Sequence, residues 1–285
     1  MAIEIVTDST SCMDKGLREK YGIEILSLSV TFDDESFKET DISNDVFYKK
    51  MEEKGIPKSS QPSLDDMCRV MKEAAQRGND MLCIFISSEM SGTYSTAHIA
   101  RDMVLEEYKN AKIEIIDSGD NCMQLGFAAI SAAKAAKEGK SLEEVKAAAE
   151  ENLKKSRFLF IPENLVYLRK GGRIGGASAL IGNILKIIPI LTVENGVTTV
   201  FGKVRTKKKA VATMLNKMLE EVKAFGLGEI VVHHINCYEE AKELASEIYN
   251  RLNIKPLICD IGPVIGLHVG PGAIGIVYYT EKDLR

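Results

Sequence analysis

No run of about 20 apolar residues, the length a helix needs to cross a bilayer, occurs in the 285-residue chain. Integral membrane association is therefore not expected. A basic excess is missing as well. The chain has 37 Lys and Arg against 41 Asp and Glu, a formal net charge of −4, which argues against a nucleic-acid partner. The N-terminus, Met1-Ala2-Ile3-Glu4-Ile5-Val6, enters a strand pattern directly, with no basic stretch followed by a hydrophobic one. That sets the expectation of a cytoplasmic protein without a secretion signal. The six cysteines (Cys12, Cys68, Cys83, Cys122, Cys237, Cys259) include no C-x-x-C pair, so reduced thiols are expected rather than a zinc site. Internal repeats and low-complexity tracts are absent too. What is present, 45% hydrophobic and 27% charged residues, suits one large or two medium globular domains.

The chain is organised around Ile84-Phe85-Ile86-Ser87-Ser88-Glu89-Met90-Ser91-Gly92-Thr93-Tyr94-Ser95-Thr96-Ala97. The apolar run Met81–Ile86 reads as a buried strand, followed by hydroxyl residues and a helical pattern from about Ser91. A strand feeding a small polar loop that opens a helix directs backbone N–H groups, and the positive end of the helix dipole, at one place. Such a place favours a carboxylate, phosphate or sulfate. The loop contains no Lys or Arg, so hydroxyls and amides would have to hold any anion there.

Strand-like and helix-like segments alternate through the first half. Strands are expected at Ile3–Thr7, Ile23–Val30, Met81–Ile86 and Lys112–Ile116. Helices are expected up to Tyr21, at Ser43–Glu53 and Ser63–Gln76, onward to Tyr108, and at Cys122–Lys137 and Ser141–Leu153. Ser141-Leu142-Glu143-Glu144 forms a capping box. Repeated alternation implies a parallel sheet covered by helices, with ligands beyond the carboxyl ends of its strands. The loops Asp8–Ser11, Ser87–Thr93 and Asp117–Asn121 would gather there.

Past about Ser156 the rhythm changes. Strands are expected at Phe158–Ile161, Pro256–Ile261 and Ala273–Thr280, with an apolar helix over Ala177–Lys186. A hairpin pairs Ile188–Val193 with Val197–Val204 around Glu194-Asn195-Gly196. Helices Lys207–Ala224 and Tyr238–Leu252 flank a strand at Glu229–His234. The fold class expected is α/β: residues 1–155 form an α/β domain with a mainly parallel sheet, and residues 156–285 an α+β domain with a largely antiparallel one. The boundary falls near 154–162.

Several motifs have a functional and a plain reading. Gly270-Pro271-Gly272-Ala273-Ile274-Gly275 has the spacing of a dinucleotide fingerprint, but a strand pattern follows it and the sequence stops at Arg285, so that reading is rejected. Gly176-Ala177-Ser178-Ala179-Leu180 approaches the esterase elbow without its final glycine. An acyl hydrolase using Ser91 or Ser178 with His268 is the alternative to a binding protein. His268 sits in a glycine-rich segment expected to be a loop, either as a structural histidine or as a hydrogen-bond relay. Arg173, beside Gly171-Gly172, is either a solvated charge or part of an anion-binding or docking loop. Arg205-Thr206-Lys207-Lys208-Lys209 is a solvated face or a patch for phosphate or an acidic partner. Ile174, Ala177, Leu180, Ile181, Ile184, Leu185 and Ile188 could wall an apolar slot or be ordinary core.

Taken together, seven segments resemble the DegV family of bacterial fatty-acid-binding proteins: Val6-Thr7-Asp8-Ser9; Ser59-Ser60-Gln61-Pro62-Ser63; Ser87–Tyr94; Asp117-Ser118; Tyr167–Ile174; Gly202–Thr206; and His268-Val269-Gly270-Pro271-Gly272. The departures are Ser59 where the family usually has Thr and Met90 where it usually has Leu. The resemblance implies a two-domain fold, with residues 1–155 carrying the head-group loops and residues 156–285 covering the acyl chain. It implies a long-chain fatty acid as ligand, with no other cofactor and no metal. The carboxylate would be held by Ser59 and Ser91, with Ser60, Gly92, Thr93 and His268 beside them. It also implies no chemistry of the protein's own. Instead, some members present the fatty acid to an ATP-dependent fatty acid kinase, with Arg173 at that encounter. Burying a chain of roughly 16 carbons gains on the order of 10 kcal/mol before ordering costs.

Overall fold

The computed structural model describes residues 2–33, 35–180 and 187–284. The first half runs β1 (Ile3–Asp8), a 3-10 turn (Ser9–Ser11), α1 (Lys15–Tyr21), β2 (Ile23–Leu26), β3 (Ser29–Phe32), β4 (Glu35–Lys38), a second 3-10 turn (Glu39–Asp41) and α2 (Asn44–Lys54). It continues with β5 (Lys58–Ser60), α3 (Leu64–Gln76), β6 (Asp80–Phe85), α4 (Thr93–Glu107), β7 (Ile113–Asp117), α5 (Cys122–Lys137) and α6 (Leu142–Lys155). Then come β8 (Ser156–Ile161), α7 (Val166–Lys170), a 3-10 turn (Gly175–Leu180), β9 (Ile188–Glu194), β10 (Val197–Val204) and α8 (Lys207–Phe225). The chain closes with β11 (Ile230–His234), α9 (Tyr238–Leu252), β12 (Leu257–Asp260), α10 (Pro263–Val269) and β13 (Ile274–Tyr279).

Three sheets organise these elements. The first is all parallel, in the order β2-β1-β6-β7, so β1 lies where the strand order reverses. An open parallel sheet has its crevice at that point, beyond the carboxyl ends of the strands. The second sheet, β10-β9-β8-β13-β11-β12, is antiparallel except for the β11–β12 pair. The third is a small antiparallel ribbon, β4-β3-β5. Helices α3 and α4 cover one face of the parallel sheet, burying Met67, Val70, Met71, Ala97 and Val104. On its other side α5 is buried along most of its length and touches β1 and β6 as well as β8 and β13 of the second sheet. The predicted capping box is present: Ser141 Oγ accepts the Glu144 N–H at 3.3 Å, and the Glu144 carboxylate accepts the Ser141 N–H at 2.8 Å.

Four expectations need correction. Ile23–Val30 is not one strand: β2 joins the parallel sheet and β3 the small ribbon. The alternating pattern is satisfied by both, so it hides the break at Ser27-Leu28. The segment around His268 is not a loop but helix α10, with Pro263 in its first turn and Gly270 ending it. Lys58–Ser60, which lies outside every strand expected from the sequence, is β5. The apolar segment from Ala177 forms a 3-10 turn over Gly175–Leu180, and Ile181, Ile184 and Leu185 lie outside the described residues. The Asn195-Gly196 turn is as expected: both residues have positive φ, 51° and 78°.

Candidate functional site

The loops that leave the parallel sheet are fixed from beneath by a buried carboxylate. Asp8, at the end of β1, is fully buried; its Oδ1 accepts the Thr10 N–H at 2.9 Å and its Oδ2 the Ile86 N–H at 2.7 Å. The second bond crosses from β1 to the exit of β6 and so anchors the loop that leads to Ser91. Burial pushes the Asp8 carboxyl up to about 6, against hydrogen bonds that favour its ionised form. On the far side of this loop Ser87 Oγ donates to the Gly196 carbonyl of the β9–β10 turn at 2.8 Å.

Above these loops lies a cavity of about 260 Å³. Its walls are largely apolar, with Leu28, Ile86, Phe158, Phe160, Ile265 and Ile274 contributing. Polar side chains converge on it from separate elements: Ser59 and Ser60 from β5, Ser91 from the loop before α4, Asn121 before α5, and His268 from α10. Gly92 and Arg173 also line it. Six of the seven ligand-binding and docking residues expected from sequence therefore face one cavity. Thr93 does not; it is fully buried behind Ser91, with Thr93 Oγ1 and Ser91 Oγ 2.8 Å apart and the Thr93 N–H donating to Ser91 Oγ at 3.3 Å. Either hydroxyl of this pair can donate; with Thr93 Oγ1 donating, the Ser91 lone pairs are engaged and its own hydroxyl proton is free for a ligand.

Ser59 Oγ lies 2.9 Å from His268 Nε2. Burial, and then the nearby Arg173 guanidinium, lowers the His268 imidazole to about 4, so it is neutral at physiological pH. Its Nδ1 has no hydrogen-bond partner among the described residues and rests against Gly171, where a Cβ would overlap it. Arg173 is exposed at the cavity edge; its Nε donates to the Met90 carbonyl at 3.1 Å and its Nη1 to the Gly171 carbonyl at 2.7 Å. It thus bridges the Ser91 loop and the glycines next to His268. Ser178 is exposed and does not line the cavity. Lys207 of the basic run pairs with Glu240 at 2.8 Å and Glu163 at 3.2 Å. Among the described residues no group of three or more His, Cys, Asp or Glu side chains is arranged to hold a metal ion.

Sequence reasoning missed the walls. Ile174, Ala177, Leu180 and Ile188 do not line this cavity: Ile174 and Ala177 belong to the surrounding core, while Leu180 and Ile188 border a separate depression beside Pro162 and Arg169. The wall comes instead from β8, α10 and β13, whose inward residues alternate in a way any buried strand would. Asn121 ends the Asp117–Asn121 loop expected at this edge but was not singled out as a site residue. It is 8% exposed, its Nδ2 donates to Met90 Sδ at 3.2 Å, and its Oδ1 has no partner among the described residues. Its position after β7, on the same sheet edge, was the available signal.

The family model for DegV, an uncharacterised protein family, matches residues 2–281. A DegV domain-containing protein of Clostridium acetobutylicum is 73% identical over 285 residues, the whole of both chains. Among solved structures, DegV of Bacillus subtilis, a fatty acid binding protein, is 33% identical with a TM-score of 0.89, covering 98% of this chain and 99% of its own. A stearic acid-binding protein from Eubacterium ventriosum is 27% identical with a TM-score of 0.89, covering 98% of each chain. The chain belongs to the DegV family.

Proposed function

We propose that this DegV protein binds one long-chain fatty acid in the cavity, with the carboxylate at Ser59 and Ser91 and the chain along the Phe158, Phe160 and Ile265 wall. The observation that carries this reading is the composition of the cavity: apolar walls, hydroxyls from β5 and from the loop before α4, and no Lys among the described lining residues, with Arg173 at its edge as the cation. A carboxylate there accepts the Ser59 and Ser91 hydroxyl protons, and Ser60 and Gly92 supply further donors. For Ser59 to donate outward it must itself accept a proton, so His268 carries its proton on Nε2 and gives it to Ser59 Oγ. In the same reading residues 1–155 form the part that binds the head group, and residues 156–285 the part that covers the chain.

The protein acts as a carrier rather than a stand-alone enzyme. A Ser–His pair that works as nucleophile and base normally has a third group orienting the base. Among the described residues His268 Nδ1 has no such partner, and His268 meets Ser59 rather than Ser91 or Ser178. The bound acid, free of a salt bridge at its head, keeps an oxygen available to take the γ-phosphoryl group of ATP from a partner kinase, forming an acyl phosphate and ADP. Exposed Arg173 at the cavity edge is the docking contact. Ser91→Ala and Ser59→Ala test the site: each is expected to keep the fold and to lose co-purified fatty acid, quantified by mass spectrometry after denaturation. Wild-type lipid content in both variants contradicts the assignment. Steady turnover of a chromogenic ester by the wild type would favour the hydrolase instead.

A further inference from the structure

Glu39 is 5% exposed and lies on the 3-10 turn that leaves β4, within the same small ribbon that carries Ser59. Both of its oxygens are engaged. Ser9 Oγ donates to Oε1, and the Val264 N–H, in the first turn of α10, donates to Oε2 at 2.9 Å. The network closes behind it: the Glu39 N–H donates to the Leu28 carbonyl at 2.9 Å, and the Leu28 N–H donates to Ser9 Oγ at 2.9 Å. At Gly262, which precedes α10, a Cβ would come within 2.9 Å of Glu39 Oε2, so the missing side chain gives the carboxylate its approach. At the other end of α10, His268 meets Ser59. This seven-residue helix is thus tied to one ribbon at both ends, by a carboxylate at its first turn and by a histidine at its last. Too short to be stable alone, it takes its position from those two ties and from packing against α7, β3, β5 and α2.

We propose that Glu39 is a positioning residue for the head-group site: by holding the first turn of α10 it sets the depth and rotation of that helix, and through them the His268–Ser59 hydrogen bond. The ligand identity rests on the fatty-acid reading above; the role of Glu39 toward His268 does not. Loss of the Glu39 tie lets α10 move away from the ribbon, His268 no longer donates to Ser59, and the Ser59 proton turns elsewhere.

The test uses the full chain with three readouts: affinity for the fluorescent fatty acid cis-parinaric acid, the imidazole 15N resonances of His268 in ligand-free protein, and the melting temperature. In Glu39→Ala the affinity is expected to fall by roughly tenfold, the scale of one lost hydrogen bond. The His268 Nε2 resonance should move in the direction it takes in Ser59→Ala, and the double variant should lose no more than Ser59→Ala alone. Glu39→Gln, which can still accept the Val264 N–H and donate to Ser9, should restore both. Should Glu39→Ala fail to fold, Glu39→Asp, one methylene shorter, gives the same readouts. Glu221→Gln is the control. That carboxylate is equally buried but is bonded to Arg157 and Tyr278, away from the cavity, and its substitution should lower the melting temperature alone. An unmoved His268 resonance with unchanged affinity in Glu39→Ala and Glu39→Asp overturns the inference, as does a Glu221→Gln variant that reproduces the affinity loss. If the wild type binds no parinaric acid, the fatty-acid reading fails, and the ligand-free His268 resonance still decides the role of Glu39.

Discussion

At Gly171 a missing side chain bears directly on the site, because His268 Nδ1 occupies the space a Cβ would need. Its φ of −76° is ordinary, so alanine there meets a steric obstacle and no backbone strain. Gly171→Ala should therefore fold, displace the imidazole and reduce co-purified fatty acid several-fold, measured by extraction and mass spectrometry. Retention at the wild-type level would mean that His268 is not needed where it stands. The individual polar groups of the site were largely legible in the sequence, since Ser59, Ser91, Gly92 and His268 sit in short polar or glycine-rich motifs. Thr93, Glu39 and Asp8 were not assigned their roles. A buried carboxylate has the same letter as a solvated one, and only the fold brings Ser9, Ile86 or Val264 to it.

Among the elements, the β9–β10 hairpin was readable from Asn195-Gly196 and α10 was not. The hairpin turn needs positive φ at both positions, and that demand is written in the two residues. Helix α10 contains a proline and a glycine and spans seven residues, too few for a 3.6-residue period to stand out. The hairpin turn also props the Ser91 loop, through the Ser87 bond to the Gly196 carbonyl. Alanine at Gly196 would bring a Cβ to 2.7 Å from Ser87 Oγ at a φ of 78°. Gly196→Ala should cost about 1–2 kcal/mol from the left-handed conformation alone. A melting temperature lowered by several degrees, with weaker lipid retention, is the expected result. An unchanged melting temperature would show that the turn relaxes freely.

For the molecule as a whole, buried titratable groups give stability a pH dependence of definite sign. Burial raises Glu39 to about 7, so the folded protein keeps a proton that the unfolded chain releases at its ordinary value of 4.5. Its contribution is therefore full below 4.5 and is lost as pH rises through about 7. Burial lowers His233 and His268 to about 4, so their contribution is present above the ordinary 6.5 and is lost as pH falls toward 4. The melting temperature of Glu39→Gln relative to wild type should thus become more favourable as pH is raised from 4.5 to 7, then level off. A difference independent of pH would place the Glu39 carboxylate in water. The sheet types and the alternation of strands and helices were legible at this scale, because period and length carry them. The cavity was not, because its walls come from β8, α10 and β13, which no single segment announces. The central claim, one long fatty acid held by uncharged donors in that cavity, is tested most directly by native mass spectrometry of protein purified without added lipid. The account predicts a chain carrying one additional mass equal to a long-chain fatty acid, lost in Ser91→Ala. A wild-type chain that stays at its bare mass, even after incubation with a long-chain fatty acid, would contradict it.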